Sequence, residues 1–357
     1  MAAAPPALEM GQVAQLPFAG PRRTLKAVPV PVETVLITGA TGFVGSHVVE
    51  ALATPGQRIR ALVRDPAKRA ALENRGVEVV PGSLEDAESV RQAVDAVDVV
   101  VHLAAATRAT SEAGFARANA AGTETVTRAI LSARRPPRRL IYLSSLAAAG
   151  PAIAGRPIKA EDPPAPLTAY GRTKLAGEQI SRQAEAVAEV AILRAPAVYG
   201  PRDRDVYEFF RLAAFGVLPV PTGGDRPLQM IHAADLARAV ALAATGTRVQ
   251  GVYHTAEARA YMWSDVARMV AEAVGRKARI LKVPAGLIMA AGAMSELVAR
   301  VIGRPSIFSR DKARELLAPG WLCETEAARL ELGFEAAIPL AQGLADTAAW
   351  YRAHGWL

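Results

Sequence analysis

The chain has 357 residues, 51% of them hydrophobic, enough for one large or two medium domains with a sizeable buried core. Its formal net charge is +8. Such a balance suits nucleic acid, a membrane surface or an anionic ligand, yet the arginines are scattered and no Lys/Arg run is interleaved with aromatics, which argues against nucleic acid and for an Arg-rich solvated surface. The single cysteine, Cys323, excludes an intrachain disulfide and a zinc cluster and fits a reducing, cytoplasmic setting; the five histidines show no ligand spacing, so no metal site is expected.

Residues 1–31 lack the basic start and continuous apolar core of a signal peptide and read as a flexible extension, with Met10 as a second start. From residue 32 strands and helices alternate. Residues 35–37 form a short apolar strand, a Gly-rich turn follows, and 43–53 have helical spacing. Strands are predicted at 59–63, 77–80, 97–103, 140–143 and 190–194, separated by helices at 66–74, 85–94, 115–134 and 170–188. This alternation predicts an α/β fold, a Rossmann-type doubly wound parallel sheet over 32–200 with helices on both faces. After Tyr199 the rhythm changes. Pro and Gly cluster between 216 and 227, helices are predicted at 234–244 and 263–274, and the tail carries two more. Residues 201–357 therefore read as a smaller, mostly helical substrate-binding lobe, with an exchange back to the first domain around 231–256, where Gly251-Val-Tyr-His254 suggests a strand. The longest apolar stretch, 283–295, is too short to span a bilayer and is followed by Glu296 and Arg300. A core helix is the first reading for it; a helix in peripheral contact with a membrane surface is the second.

Residues 37–45 read I-T-G-A-T-G-F-V-G. A glycine at 39 supplies the backbone angles of the turn, Gly42 lets the main chain approach a pyrophosphate, and Gly45 permits close helix–strand packing, while the helix that starts here aims free N–H groups at the phosphates. The position after a strand and before a helix gives the motif its meaning. The T-G-x-x-G-x-x-G spacing resembles that of the extended short-chain dehydrogenases/reductases, the NAD-dependent epimerase/dehydratase family, and the resemblance runs from Thr34 to Leu357. Further matches are V-H-L-A-A-A at 101–106, Asn119, S-S at 144–145, Y-G-R-T-K at 170–174 and L-R-A-P-A-V-Y-G-P at 193–201. The resemblance implies a cofactor site built from Gly39, Thr41, Gly42, Phe43, Val44 and Gly45, then Arg64, Ser83, Leu84, Leu103, Ala104 and Ala105, and finally Tyr170, Lys174, Pro196 and Val198. At the tip of the second strand, where an NAD site usually carries a carboxylate, this chain has Arg64, which can clamp a 2′-phosphate, so NADP is favoured over NAD; the adjacent Asp65 and a merely solvated Arg64 keep NAD as the second choice. Ser83-Leu84 replaces the Asp-Leu common in relatives.

Tyr170 and Lys174 lie four residues apart on one helix face. A phenol is a poor base at neutral pH, and a neighbouring ammonium favours the phenolate, which tunes a general acid/base toward working pH. The resemblance implies that Ser145, five positions before Gly150, binds the substrate oxygen, with Ser144 beside it as a second contributor; Asn119 either supports a proton relay near the lysine or bends its helix structurally. Ser145, Tyr170, Lys174 and Asn119 are thus the expected catalytic set. Nucleotide-sugar epimerases commonly carry an Asn where this chain has Ala197 and an Arg where it has Leu228; Arg226 or Arg202 could substitute as diphosphate donors, and His232 and Asp235 read as structural. The apolar helix at 284–301, the 306–309 segment, Leu332-Gly-Phe and the Trp350-Tyr351 tail resemble the 3β-hydroxysteroid dehydrogenase and dihydroflavonol reductase branch. The expectation is a dehydrogenase/reductase acting on the hydroxyl or ketone of a small hydrophobic, sterol-like substrate in an apolar-walled pocket; the alternatives are a nucleotide-sugar epimerase or reductase and a non-catalytic, cofactor-bound scaffold. Many relatives are dimers, so a homodimer is compatible with the resemblance, but no interface is legible.

Overall fold

A computed structural model describes residues 34–153, 155–302, 306 and 308–357. The extension expected at 1–31, Met10 within it, and Ile307 of the 306–309 segment lie outside the described residues. The first half runs β1 (Thr34–Thr38), α1 (Phe43–Leu52), β2 (Arg58–Val63), α2 (Arg69–Glu73), β3 (Glu78–Pro81), α3 (Ala87–Val94), β4 (Val99–His102), α4 (Glu112–Phe115), α5 (Gly122–Ser132), β5 (Arg139–Ser145), α6 (Leu146–Ala149), α7 (Ala169–Ser181) and β6 (Glu189–Ala195). The second half continues β7 (Ala197–Tyr199), α8 (Tyr207–Ala214), β8 (Val217–Pro221), β9 (Pro227–Leu228), β10 (Met230–His232), α9 (Ala233–Thr245), β11 (Gly251–His254), β12 (Tyr261–Met262), α10 (Trp263–Ala273), β13 (Arg279–Val283), α11 (Ala285–Ile302), α12 (Arg310–Leu317), α13 (Glu326–Leu332) and α14 (Leu340–Ala353).

The central sheet has seven parallel strands in the order β11-β6-β5-β4-β1-β2-β3. Chain order reverses on either side of β1, so the crevice above its C-terminal end is the place where such sheets bind ligands. Every residue of β1 and β4 is buried, as a strand covered by helices on both faces must be. On one face α1 and α9 pack through Val48, Val49 and Leu52 with Leu236, Val240 and Ala243. On the other, α3 and α5 contribute Val90, Val94, Val126 and Ile130. A second core joins Tyr199, Phe210, Leu218, Val270, Leu344 and Tyr351 in the C-terminal half.

Two elements differ from the sequence-based expectation. The Pro/Gly-rich stretch after residue 216 contains β8, which pairs in parallel with β13. Prolines 219 and 221 lack N–H donors, but β8 has a single neighbour, and an edge strand can spare donors on its open side. The helix expected at 115–134 begins earlier, at Glu112, and widens into a π-turn over Ala116–Ala121 before continuing as α5. Such widenings collect at functional sites, and Asn119 sits inside this one.

Candidate active site

Gly39 adopts φ +81°, and a Cβ there would stand 2.7 Å from the Ala104 nitrogen at the end of β4. Glycine alone tolerates both conditions. A Cβ on Gly45 would fall 2.0 Å from the Gly39 carbonyl oxygen, so the missing side chain is what lets α1 sit directly on β1. Gly42 has ordinary backbone angles and serves as the N-cap of α1 without any side-chain cap. The first N–H groups of this ten-residue helix are therefore open toward the crevice, with Thr41, Phe43 and Val44 around them. The residues present fit a dinucleotide: the cradle is one that a Cβ would fill.

The other expected cofactor residues follow the C-terminal ends of the neighbouring strands: Arg64 after β2, Ser83 and Leu84 after β3, Leu103 to Ala105 after β4, and Pro196 and Val198 after β6. Arg64 is exposed. Asp65 turns its carboxylate back to accept the Ala67 N–H at 3.0 Å, capping the short 3-10 turn Pro66–Lys68. Leu84 packs against Gly122, whose Cβ would stand 2.9 Å from it, and the Ser83 hydroxyl accepts the Glu85 N–H.

Ser144 and Ser145, adjacent on β5, point to opposite sides. Ser144 is buried and donates to the Glu178 carboxylate, which Arg194 grips through Nε at 2.9 Å and Nη2 at 2.8 Å. Ser145, half-buried at the C-terminal end of β5, is the N-cap of α6 and accepts the Ala147 N–H at 3.2 Å, with Tyr170 near it. Lys174 is buried; its Nζ donates to the Leu143 carbonyl at 2.6 Å and lies 4.2 Å from the centre of the Tyr142 ring. Burial pushes its pKa down to about 7, against the pull of Glu178. Asn119 is fully committed: its Oδ1 accepts the Ala106 N–H at 2.7 Å, and its Nδ2 donates to the Ala106 carbonyl at 3.2 Å and to the Thr173 hydroxyl at 3.1 Å. It ties the loop after β4 to the residue beside Lys174, a structural clamp with no hydrogen bond to the lysine itself.

Burial holds the Tyr170 phenol above its ordinary pKa, against the pull of Lys312 on α12. The Lys174 amine is turned to the Leu143 carbonyl. The sequence offered no signal for Lys312: it sits in R-D-K-A-R-E, which reads as a solvated charged helix. Its Nζ pairs with Glu315 at 2.8 Å, and Glu315 in turn accepts from Thr168 at 3.1 Å while Asp311 accepts the Ala169 N–H at 2.7 Å. Two carboxylates of α12 thus hold the N-terminus of α7, where Tyr170 begins.

Tyr170 opens into a cavity of about 340 Å³ between the 107–112 loop, the start of α7 and the α11–α12 pair. The apolar wall expected from the helix at 284–301 is not formed by its large residues. Glu296 and Ala299 are what α11 turns toward the cavity, whereas Leu287, Met294, Leu297 and Val298 are exposed elsewhere. The two arginines considered as diphosphate donors are also engaged: Arg202 pairs with Glu50 at 2.7 Å, and Arg226 donates to the Gly224 and Leu317 carbonyls. Leu228 is buried. Asp235 accepts the N–H groups of Ala337 and Ile338, fastening α9 to the C-terminal segment.

A parallel sheet with an open glycine cradle at its switch point, and Ser145, Tyr170 and Lys174 following the same C-terminal edge, fit the class of nicotinamide-dependent enzymes. The chain belongs to the NAD dependent epimerase/dehydratase family, whose model matches residues 35–258, and so to the extended short-chain dehydrogenases/reductases. It is 36% identical over 326 residues to a ceramide reductase of Caulobacter vibrioides, covering 90% of this chain and 96% of that protein. It is 28% identical over 340 residues to sterol demethylase protein B of Methylococcus capsulatus, covering 91% and 100%. Among solved structures, gox2253 superposes with a TM-score of 0.75 at 26% identity, covering 91% of this chain and 99% of that one. MoeE5 in complex with UDP-glucuronic acid and NAD gives 0.71 at 25% identity, covering 90% and 99%.

Proposed function

We propose that the chain is an NADP-dependent reductase/dehydrogenase for the ketone or hydroxyl group of a hydrophobic, lipid-type substrate. The observation that carries this reading is that Ser145, Tyr170 and buried Lys174, at the end of β5 and on α7, follow the same C-terminal edge of the parallel sheet as the glycine cradle between β1 and α1. When bound, the nicotinamide supplies or accepts the hydride. The rest falls to side chains of this chain. The Ser145 hydroxyl donates to the substrate oxygen and stabilises its developing negative charge. Tyr170 transfers its phenolic proton to that oxygen in reduction and takes it back in oxidation. Lys312 offsets the phenolate charge, and Lys174, which donates to the Leu143 carbonyl at the end of β5, holds the nicotinamide ribose in this reading. Arg64 supports NADP, because it is an exposed guanidinium at the β2 tip, while the adjacent Asp65 turns one carboxylate oxygen back to cap its own turn. Two of the relatives support the lipid class: their names specify ceramide and sterol chemistry.

The test follows reduced-nicotinamide absorbance with long-chain keto lipids, sterol ketones, and UDP- and dTDP-sugars. Ketone-dependent oxidation of NADPH is expected, falling by about 10²-fold or more in Tyr170→Phe. Calorimetry should show NADP binding at least about tenfold more tightly than NAD, a gap of about 1.4 kcal/mol that closes in Arg64→Ala. Conversion of a nucleotide sugar with tightly retained NAD, and no response to ketones, would overturn the reading in favour of an epimerase.

A further inference from the structure

Helix α11 carries an apolar stripe that stands exposed among the described residues. Leu287, Met294, Leu297, Val298, Val301 and Ile302 are all exposed, from 48% at Val298 to 83% at Val301, and the alanines at 290 and 291 are exposed between them. Their spacing, three and four residues throughout, puts them on one face of the helix. The opposite face is occupied. Ile288 is buried, Gly292 lies so close to α12 that a Cβ would stand 2.9 Å from the Ser309 carbonyl oxygen, and Glu296 receives the Arg310 N–H at 2.9 Å and its Nε at 2.8 Å. The only acid of α11 is therefore turned away from the stripe.

The surface leading into this helix continues the pattern. Leu281 on β13 and Phe215 before β8 are 55% and 77% exposed. Arg276, Lys277, Arg279 and Lys282 are exposed in the same stretch, and residues 274–295 contain no acid at all. An exposed apolar helix face that follows a cationic, acid-free strand directly in the chain matches one partner chemistry: acyl chains beneath anionic headgroups. A second copy of the same face would bring the same cations with no carboxylate from 274–295 to answer them. No helix of the described residues is long and apolar enough to cross a membrane, so the contact is one of lying on the surface.

We infer that α11 and the adjoining β8–β13 edge form a docking surface for an anionic lipid bilayer. This surface stands whether or not the substrate reading does. Its position has a consequence for that reading, because the inward side of the same helix contributes Glu296 and Ala299 to the cavity holding Tyr170. Docking brings that cavity to within about one helix diameter, roughly 10 Å, of the bilayer.

The experiment is flotation of the full-length protein with vesicles of phosphatidylcholine alone and of phosphatidylcholine with phosphatidylglycerol. Binding to the anionic vesicles is expected, weakening as salt is added. Lys277→Gln with Lys282→Gln should weaken it roughly fivefold for each cation removed. Leu297→Asp with Val301→Asp should weaken it about tenfold or more. Both double variants replace exposed side chains, so their unfolding midpoints and nicotinamide binding should match the wild type. Absence of wild-type binding to anionic vesicles overturns the proposal. So does equal binding by both variants, or a wild-type dimer in sedimentation that the stripe variant dissolves without any vesicle binding. Vesicle binding reports docking regardless of turnover, so loss of ketone reduction with docking intact would count against the substrate reading alone.

Discussion

Ser144 and Ser145 are one bond apart in sequence and have unrelated surroundings. Ser145→Ala removes the donor proposed for the substrate oxygen and is expected to lower kcat by about 10²–10³-fold. It also removes the α6 cap, which costs about 1 kcal/mol, far too little to explain such a loss of rate. Ser144→Ala should do the reverse. It leaves the buried Glu178 carboxylate one donor short, a cost of about 1–3 kcal/mol in unfolding free energy, and leaves kcat within a few-fold. Steady-state kinetics and denaturant titration of the two variants check both halves, and a kinetic collapse in Ser144→Ala would reverse the assignment. The four-residue spacing of Tyr170 and Lys174 is enough to place both on one helix face. The direction each side chain then takes is not legible in the sequence, because it is set by partners far along the chain: Leu143 for Lys174, and Lys312 for the charge near Tyr170.

The β1–α1 turn shows how much a local pattern can specify. The positive φ of Gly39 and the tight seat of Gly45 on the Gly39 carbonyl are both set within seven residues, which is why spacing alone can specify them. Gly45→Ala must push α1 off β1, since its Cβ would meet backbone at 2.0 Å. Destabilisation by about 1–3 kcal/mol is expected, with at least tenfold weaker nicotinamide binding as the open N–H groups shift. Gly42→Ala is the contrast. Its Cβ would lie 3.2 Å from the Gly39 oxygen with ordinary backbone angles, so the fold should keep its stability to within about 0.5 kcal/mol while cofactor affinity falls. Thermal unfolding and cofactor titration separate the two, and wild-type affinity in Gly45→Ala would refute the packing argument. Elements whose identity depends on tertiary partners are harder to read. β8 looks like a loop because its prolines forbid a central strand, and only the pairing with β13 makes it an edge. The apolar run at 283–295 looks like core, yet α11 buries one side of it and exposes the other.

The whole molecule places several ionisable groups in its interior, and their opposing titrations leave one readable window. Burial raises Asp203 to about 7 from its ordinary 3.8. The folded chain therefore holds a proton that the unfolded one has lost, so this group lowers stability as pH rises toward 7. Burial lowers His102 to about 3 from 6.5 and His254 to about 4, which raises stability over much of the same range. The two effects oppose each other and are complete by about pH 7. Cys323, pushed up to about 12 from 9.0, acts only above its ordinary value. Between about pH 7 and pH 9 Lys174 remains, lowered to about 7 from 10.5. There the unfolded chain carries the ammonium proton and the folded chain does not, so stability should rise with pH, by at most about 1.4 kcal/mol per pH unit for one proton. Lys174→Met should flatten that rise while leaving the profile below pH 6 unchanged. Denaturant midpoints of the cofactor-free protein across this range test it. A wild-type profile that is flat or falling from pH 7 to 9, or a rise that survives in Lys174→Met, would show that the buried amine keeps its proton in the folded chain through its contacts with the Leu143 carbonyl and the Tyr142 ring.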